Sequence, residues 1–360
     1  MAFAPQLDEV NTVTQKKIYP GVVDNYYKAG PVIAMLKTRY NRRWNGPQIQ
    51  ENFLYDAPAV ASYRPGSTFP LVRKQTKTGL LFTPRYYRVS VTEYLEMIEV
   101  ELAGDMAQWS TVQQDLNEAS LAMSACIEIA AFHHGQAIAG DDRSADLNGL
   151  EEAFTDGSNQ TWTGTVFPTY GGQSRAGVRL AGTSAGQGAL DSPLGIINTP
   201  SITQTSFNVL NQMYLSACIG KEHPQLCVTT KPQMGFIANT FFAHQLIDTR
   251  NPEIDWPGFK LNQCTIVMSD YCPGSQGIDD PNLGDYSSAN GETMWFLNFG
   301  PSGENAYIRL HLAASPKFAF GFTGFKGARG DNMVAGQILF AGNISVRTPR
   351  LQRAAYGFTR

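Results

Sequence analysis

The chain has 360 residues, of which 42% are hydrophobic and only 16% are charged, whereas an average soluble domain has about 25% charged residues. This length allows one large domain or two smaller ones. The net charge of −3 and the isoelectric point of about 6.0 exclude a protein that coats nucleic acid through a basic stripe. Low charge together with 20 Phe, 15 Tyr and 10 Met is typical of protein contact surfaces, although a protein rich in Gly and neutral polar loops has a similar composition.

The cysteines and the N-terminus indicate where the chain is made. The five cysteines are odd in number, and no two of them have Cys-x-x-Cys spacing, so we expect free thiols in a reducing cytoplasm. The first residues lack the basic-then-apolar pattern of a secretion signal. No apolar run reaches the roughly 18 residues of a membrane span. We therefore expect a soluble protein with no membrane partner.

The first two segments predict extended structures. Residues 1–45 show no periodicity and end in a basic cluster, which is typical of an arm that needs a body or a neighbour to lie on. Residues 46–91 predict a long hairpin, in which PQIQENFLYDAP is one side and GLLFTPRYYRVSV is the other. The connection between them is polar and basic and contains Pro65 and Gly66. A hairpin of this length is not stable alone in water, so it must pack on a partner.

Residues 106–134 predict the longest helix of the chain. Apolar residues recur there at spacings of three and four, from Met106 to Ala130. Asp105 is a suitable N-cap, and Gly135 is a suitable stop signal. A helix of this length is a rod of roughly 40 Å, long enough to serve as the spine of a domain.

The remaining segments predict mixed structure. Residues 140–200 are rich in Gly, Ser and Thr and predict long loops with a few short elements. Residues 203–268 predict two helices and two buried strands, and residues 293–347 predict mostly strands. The last strand has an apolar residue or Gly at every even position from Val334 to Val346, which predicts one buried face. The elements do not alternate as regular βαβ units, so the predicted class is α+β.

One motif is compatible with catalysis. GTSAG, centred on Ser184, matches the Gly-x-Ser-x-Gly pattern of a hydrolase nucleophile elbow. That motif requires a helix after the serine, whereas Ser184 is followed by Gly186, Gly188 and Pro193. A flexible loop is therefore the favoured interpretation, and a hydrolase that uses Ser184 is the alternative.

The other titratable clusters predict no site. His133 and His134 fall near the end of the predicted helix, where neighbours point about 100° apart, so we expect them not to share a metal. Glu93, Glu96 and Glu99 predict a solvated or interfacial acidic face. No P-loop or dinucleotide-binding fingerprint occurs. The sequence thus predicts no catalytic residue, no metal and no cofactor.

The order of these segments resembles the major capsid proteins of tailed bacteriophages, a fold shared with encapsulin compartments and herpesvirus shell floors. NGLEEAF, YGGQSRA and AGQILFAGNISVRTPRLQRAAYG resemble phrases of one phage subgroup. The resemblance implies an α+β phage major-capsid fold whose parts are an N-terminal arm (1–45), an extended E-loop hairpin (46–91), a peripheral domain with the spine helix (92–195), an axial domain (196–304) and return strands of the peripheral domain (305–360).

The resemblance also implies a function. It predicts a structural protein and not an enzyme: a subunit that assembles with itself into hexamers and pentamers of an icosahedral shell around double-stranded DNA, without sequence-specific binding. Assembly is expected in the bacterial host cytoplasm, and the mature location is the virion capsid. A portal, a decoration protein and a separate scaffolding protein are the further expected partners, the last because no long charged helical extension precedes the hairpin. An encapsulin-like nanocompartment is the alternative, and a tail-tube or decoration protein is disfavoured by the long helix.

The hairpin is expected to carry the contacts between subunits. Basic side chains at its tip set orientation against acidic groups next door, because exposed ion pairs contribute only about 0–1 kcal/mol each. Apolar side chains contribute more, at roughly 25 cal/mol per Å² buried. The candidate contact residues are Arg64, Phe69, Leu71, Arg73, Lys74, Lys77, Leu80, Phe82, Glu93, Glu96 and Glu99.

Overall fold

The described residues contain both helices and strands without regular β-α-β alternation, which confirms the α+β class. The computed structural model describes residues 30–58, 60, 62–68, 74–94, 111–138, 141–179, 184–192, 195–196, 207–241, 247–248, 258–274, 279–280, 284–285, 291–327 and 332–358. The helices are α1 (Pro31–Thr38), α2 (Thr111–Phe132), α3 (Leu150–Ala153), α4 (Phe207–Ser216) and α5 (Lys231–Phe241). None of these described helices is both long and apolar enough to cross a membrane.

The strands fall into two larger sheets and several short pairs. Their bounds in the first half of the chain are β1 (Asn41–Trp44), β2 (Ile49–Leu54), β3 (Lys77–Phe82), β4 (Arg85–Tyr94), β5 (Ala137–Ile138), β6 (Asp141–Asp142), β7 (Thr169–Tyr170) and β8 (Gln173–Ser174). The later strands are β9 (Gly195–Ile196), β10 (Leu226–Thr229), β11 (Ile247–Asp248), β12 (Gly258–Leu261), β13 (Cys264–Met268), β14 (Asp279–Asp280), β15 (Gly284–Asp285), β16 (Glu292–Leu297), β17 (Ile308–Ala313), β18 (Ala319–Phe322), β19 (Lys326–Gly327), β20 (Met333–Val346) and β21 (Arg353–Phe358).

The chain divides into two compact units. The larger unit contains Gly30–Arg85, Ile127–Leu312 and Gly342–Arg360, and the smaller unit, in its described part, lies within Tyr86–Cys126 and Ala313–Ala341. In the smaller unit β4, β18 and β19 pair with the first part of β20. In the larger unit the last residues of β20 pair antiparallel with β17, from Leu312↔Gly342 to Ile308↔Val346.

The core of the larger unit is a mixed sheet with the strand order β11-β12-β13-β10-β16-β21-β9. Its central strands β10 and β16 are buried along their whole length, which explains why the sequence MWFLNF reads as an uninterrupted apolar run. Helices α4 and α5 contribute apolar side chains to the same core, among them Leu210, Met213 and Ile237. The two helices and two strands predicted between residues 203 and 268 are present.

The described part of the predicted arm contains a helix as well as the extended strand β1. Residues 31–38 form helix α1, and Val32, Ile33 and Leu36 are each at most 2% exposed. The sequence shows no periodicity that predicts this helix, although Pro31 fits the first turn of a helix. Residues 30–45 therefore belong to the body of the larger unit, and residues 1–29 lie outside the described residues.

The spine helix is present as α2, and its described part begins at Thr111. It ends at Phe132, so His133 and His134 follow the helix and do not belong to its last turn. Gly135 has a packing role, because a Cβ atom at this position lies 2.6 Å from the carbonyl oxygen of Asp146. The predicted N-cap Asp105 lies outside the described residues.

A fully buried carboxyl group on the spine helix caps α1. The oxygens of Glu128 accept hydrogen bonds from the backbone nitrogens of Val32, at 3.1 Å, and Ile33, at 2.6 Å. These nitrogens belong to the first turn of α1, where backbone donors have no partner inside the helix. Burial raises the pKa of Glu128 from 4.5 to about 7, although both hydrogen bonds and Lys37 act in the opposite direction.

This raised pKa predicts a pH-dependent stability that Glu128→Gln removes. Between pH 4.5 and about 7 the native carboxyl keeps a proton that the unfolded chain has lost, so stability falls as pH rises. The difference in unfolding free energy between wild type and E128Q should change by about 3 kcal/mol across this window. Urea denaturation of the dissociated subunit at pH 5 and pH 8 measures this difference. The same difference between wild type and E128Q at both pH values would contradict the prediction.

Candidate assembly surface

Strands β2 and β3 form the predicted hairpin. They pair antiparallel from Ile49↔Phe82 at the base to Leu54↔Lys77, and the backbone nitrogens of Tyr55 and Asp56 then donate to Thr76. At the tip the nitrogen of Ser67 donates to the carbonyl of Arg64 at 3.0 Å, and Gly66 has a φ of +89°. Proline at the second position of such a turn and glycine at the third are the residues of a type II turn.

The hairpin is shorter than the predicted range 46–91. Its second side ends at Phe82, and the alternation around Val89 and Val91 belongs to β4, which pairs with β20. Within the smaller unit the rings of Tyr87 and Phe340 lie 5.9 Å apart in an edge-to-face contact. Pro84 separates the two strands, because it has no backbone N–H to continue the ladder.

The segment beyond the paired strands presents apolar side chains to solvent. Val60 is 94% exposed, Tyr63 is 67% exposed and Leu54 is 61% exposed. Four of the ten large apolar residues that are exposed within the described part of the chain lie between Leu54 and Leu81. Exposed apolar groups concentrated on one segment indicate a contact site and not a solvated loop.

The base of the hairpin is held by the turn between β7 and β8. The nitrogen of Leu81 donates to the carbonyl of Gly171 at 2.9 Å, and the amide of Gln173 donates to the carbonyl of Gly79 at 3.1 Å. The ring of Phe82 packs edge-on against Tyr170, with 5.4 Å between centroids. The hydroxyl of Tyr170 accepts a hydrogen bond from the backbone nitrogen of Val346 at 2.8 Å. The hairpin is thus tied to the end of strand β20 of the same chain.

The phrase YGGQSRA has a structural explanation in this turn. Gly171 and Gly172 have φ values of +55° and +76°, the left-handed pair that a tight hairpin turn needs. Arg175 follows, with its guanidinium fully buried against the carbonyl oxygens of Phe167, Leu190 and Glu152. Burial lowers the pKa of Arg175 to about 10. The arginine ties three loop segments together and is inaccessible to a partner.

A second anchor is a buried ion-pair cluster around Glu51 of β2. Its carboxylate lies 2.9 Å from Nη1 of Arg309 and 3.3 Å from Nε of Arg347, and Arg42 lies 3.7 Å away at the edge. His311 lies 3.3 Å from the same carboxylate. Burial and the neighbouring cations, Arg309 first among them, lower the pKa of His311 to about 3, so it is neutral. One carboxylate therefore holds the hairpin strand onto β17 and the end of β20.

The predicted contact residues other than Leu80 and Phe82 divide into three groups. Arg64 and Lys77 are exposed, as a contact residue must be, and Glu93 is half-buried. Lys74 is exposed but forms an ion pair of 2.5 Å with Asp56 of the same hairpin, so it has a partner within its own chain. Phe69, Leu71, Arg73, Glu96 and Glu99 lie outside the described residues and stay predictions.

The assignment of Leu80 and Phe82 to the contact surface is corrected by their burial. Leu80 is 0% exposed and Phe82 is 2% exposed, because both face the Tyr170–Gly171 turn. Leu81, which points to the opposite face of the strand, is 45% exposed. Leu80, Leu81 and Phe82 are all apolar, so the sequence does not distinguish the two faces of β3, and the predicted contact face is wrong. Val60, Tyr63 and Leu54 were missed, although the apolar character of a hairpin end was the available signal.

The serine motif does not have the context of a nucleophile elbow. Ser184 is exposed, and the described residues 184–192 form turns and no helix. The nitrogens of Gly186 and Gly188 donate to the carboxylate of Asp191, which also binds Arg179. The segment is therefore a loop built around a buried aspartate.

The prediction that His133 and His134 do not share a metal stays a prediction, but its argument from helix geometry does not apply to them. That argument assumed that both residues are helical, whereas the chain leaves the helix after Phe132. Their ring nitrogens and a carboxylate oxygen of Glu151 lie within 4.8 Å of one another, and all three residues are buried. Glu151 belongs to the phrase NGLEEAF, whose Gly149 contacts the carbonyl of His133 so closely that no side chain fits there.

Comparison with known structures identifies the fold. No protein-family model matches the sequence, and no curated protein sequence is significantly similar. The chain is similar to a subunit of the cyanophage A-1(L) capsid, with 10% identity, a TM-score of 0.62 and coverage of 97% of this chain and 99% of that chain. It is similar to the holo-SrpI encapsulin of Synechococcus elongatus PCC 7942, with 8% identity, a TM-score of 0.58 and coverage of 98% and 95%. It is similar to the capsid of a native GTA particle, with 8% identity, a TM-score of 0.55 and coverage of 95% and 96%.

These similarities extend over almost the whole of each chain. The chain therefore has the phage major-capsid fold, which phage capsids, GTA capsids and encapsulins share. At 8–10% identity the shared property is the fold alone. The predicted fold is confirmed, whereas its predicted domain boundaries stay predictions.

Gly171→Ala should weaken the base of the hairpin more than Gly172→Ala. Both substitutions place a side chain at positive φ, which costs about 1–2 kcal/mol. Only at Gly171 does the new Cβ also meet an atom, the Cβ of Leu80 at 2.9 Å, while Gly172 has open space around it. The difference between the two variants in urea denaturation measures the cost of the contact with Leu80. An equal loss of stability in both would show that this contact does not constrain the turn.

Glu51→Ala should cost about 3–5 kcal/mol of unfolding free energy, because it leaves the buried guanidinium of Arg309 without its carboxylate. The comparison variant is Asp56→Ala, which removes the partner of the exposed Lys74 on the same hairpin and should cost about 1 kcal/mol or less. A similar loss in both variants would mean that burial does not distinguish the two ion pairs.

Proposed function

We propose that this chain is the major capsid protein of a tailed double-stranded DNA phage, and that it assembles with itself into the hexamers and pentamers of an icosahedral shell. The observation that carries the proposal is that the base of the hairpin is hydrogen-bonded to its own chain, while its outer part presents apolar side chains to solvent. The end-to-end fold similarity to the cyanophage A-1(L) and GTA capsids supports it.

The hairpin can contact a neighbour without enlarging the core of its own subunit. Val60, Tyr63 and Leu54 are the apolar groups available for that contact. Full burial of one such side chain contributes about 1.5–3 kcal/mol. Contacts of this size are individually modest, and their repetition around a closed symmetric ring makes the assembly stable.

The charged residues of the hairpin give the contact its orientation. Arg64 and Lys77 are exposed on it, and Arg42 is half exposed on the edge strand β1. We expect acidic groups of a neighbour, Glu93, Glu96 and Glu99 among them, to face these cations. Phe69, Leu71 and Arg73 complete the proposed contact set. Exposed pairs of this kind influence register and association rate more than affinity.

The proposal includes partners beyond the chain itself. A separate scaffolding protein, a portal and a decoration protein are the proposed assembly partners, in the bacterial host cytoplasm. We expect the shell to enclose the packaged DNA without binding it tightly, because the chain has a net charge of −3 and no excess of basic residues. We propose no catalytic role for Ser184, since its loop lacks the helix that an elbow requires.

An encapsulin-like compartment is the second candidate, because the SrpI encapsulin has the same fold. The two functions differ in what the shell contains and in what it attaches to. Electron microscopy of the expressed chain, alone and with the neighbouring genes, distinguishes them: tailed or portal-bearing particles that contain DNA support the phage shell, and closed particles filled with an enzyme support the compartment.

The hairpin role predicts that Val60→Ser with Tyr63→Ser abolishes closed particles and leaves a folded subunit. The two side chains are exposed in the single chain, so their truncation removes contact area between subunits and little from the core. The matched control is Ser62→Ala on the same exposed segment, which should assemble normally. Sedimentation and negative-stain imaging compare the variants, with circular dichroism as the folding control.

Replacement of residues 57–75 by a short Gly-Asn-Gly turn tests the same role more strongly. It keeps the register from Ile49↔Phe82 to Leu54↔Lys77 and both anchors at the base. We expect a soluble, folded chain that sediments as a small species. Particles of normal size from this variant would refute the proposed role of the hairpin.

A further inference from the structure

Three side chains of types that can bind a metal lie close together just after the end of the spine helix. The proposed assembly role does not use them. One ligand atom from each of His133, His134 and Glu151 lies within 4.8 Å of the other two. The Nδ1 atom of His133 and the Oε2 atom of Glu151 are 4.0 Å apart, which is longer than a hydrogen bond. All three side chains are buried in the larger unit.

Glu151 is oriented toward the two histidines. Its Oε1 atom accepts hydrogen bonds from the hydroxyls of Thr161 and Thr163. Its Oε2 atom is buried and has no hydrogen-bond donor in the described part of the chain. A fully buried carboxyl oxygen without a donor is costly unless it is protonated or faces a cation.

A hydrogen bond to the backbone holds the imidazole of His134. Its Nδ1 atom lies 3.1 Å from the carbonyl oxygen of Gln136, and a carbonyl can only accept, so Nδ1 carries the proton. The lone pair is then on Nε2. A hydrogen bond from the second ring nitrogen to a carbonyl is the usual way in which proteins orient a metal-binding histidine.

Aromatic packing fixes both rings and excludes water. Trp162 packs edge-on against His133 with 4.5 Å between centroids, and Phe167 packs against His134 at 5.2 Å. The indole of Trp162 is itself held by a hydrogen bond to the carbonyl of Phe132.

We propose that His133, His134 and Glu151 form a buried site for one divalent transition-metal ion of the zinc class. Two imidazoles and one carboxylate are a common set of three protein ligands for zinc, with water as the fourth. Bonds of about 2.0–2.2 Å place ligand atoms about 3.5 Å apart, so side-chain torsions must bring atoms that lie within 4.8 Å of one another closer by up to about 1.3 Å. The ion ties the end of the spine helix to the loop that contains NGLEEAF, and it enters during folding because the site is buried.

The charge around the site is compatible with a cation. Glu152, adjacent to Glu151 in sequence, is a second fully buried carboxyl group, and its oxygens accept from Gly135, Gln136 and Asn148. Arg143 is the cation that acts on His133, and it lies 3.6 Å from the carboxylate of Asp146, which offsets its charge. A divalent ion with both glutamates ionised gives a cluster close to neutral.

The chain is purified from cells grown with zinc, and its metal content is measured by elemental mass spectrometry. We expect about one zinc ion per chain in wild type and in the control His223→Gln, and less than a tenth of that in His134→Gln and Glu151→Gln. Glu151→Gln keeps an oxygen acceptor for both threonines, so its fold should survive. Wild type with less than a tenth of an ion, or both variants with undiminished zinc, would overturn the proposal.

A second measurement uses wild type alone, so its result does not depend on whether a variant folds. Wild type from cells grown with cobalt should contain about one cobalt ion per chain, with the visible absorption bands of cobalt bound to nitrogen and oxygen ligands. Absence of cobalt, or a spectrum without nitrogen ligation, contradicts the site. The shell function is unaffected by either result, since particle formation is scored separately.

Discussion

A hairpin of two strands has no core of its own, and this one is stable because its base is part of a larger one. Leu80 and Phe82 face the Tyr170–Gly171 turn, and Glu51 on the other strand holds Arg309 in a buried ion pair. Both strands are therefore fixed to the body of the larger unit at one end only. The free end can then present apolar groups at a defined distance from the body, which is the property that assembly of identical copies requires.

The few charged groups of the chain are not confined to its surface. Several of its charged groups are inside the larger unit, among them Glu128, Glu151, Glu152, Arg175 and Arg309. Each lies against backbone or side-chain groups from a distant segment: Glu128 caps α1, and Arg175 binds three carbonyls. Such groups compensate for a shortage of regular structure between residues 141 and 192, where hydrogen bonds to buried side chains replace strand and helix ladders.

The similarity to capsids and encapsulins at 8–10% identity shows which constraints the fold places on a sequence. In this chain the strand patterns, the long helix and the order of segments decide which faces are buried. The individual side chains that fill those faces are free to change, provided that volume and polarity are conserved. This is why the order of segments indicated the fold, while no single motif in the chain is diagnostic.

The sequence alone determined the elements whose signals are local: the long helix, the buried strands at 264–268 and 292–297, the hairpin with its Pro65–Gly66 turn, and from their order the fold class. It could not determine which face of β3 is buried, since Leu80, Leu81 and Phe82 are equally apolar and only contact with Tyr170 and Gly171 separates them. Nor could it place His133 near Glu151, because the end of a helix and the path of the loop after it depend on packing against segments far away in the sequence.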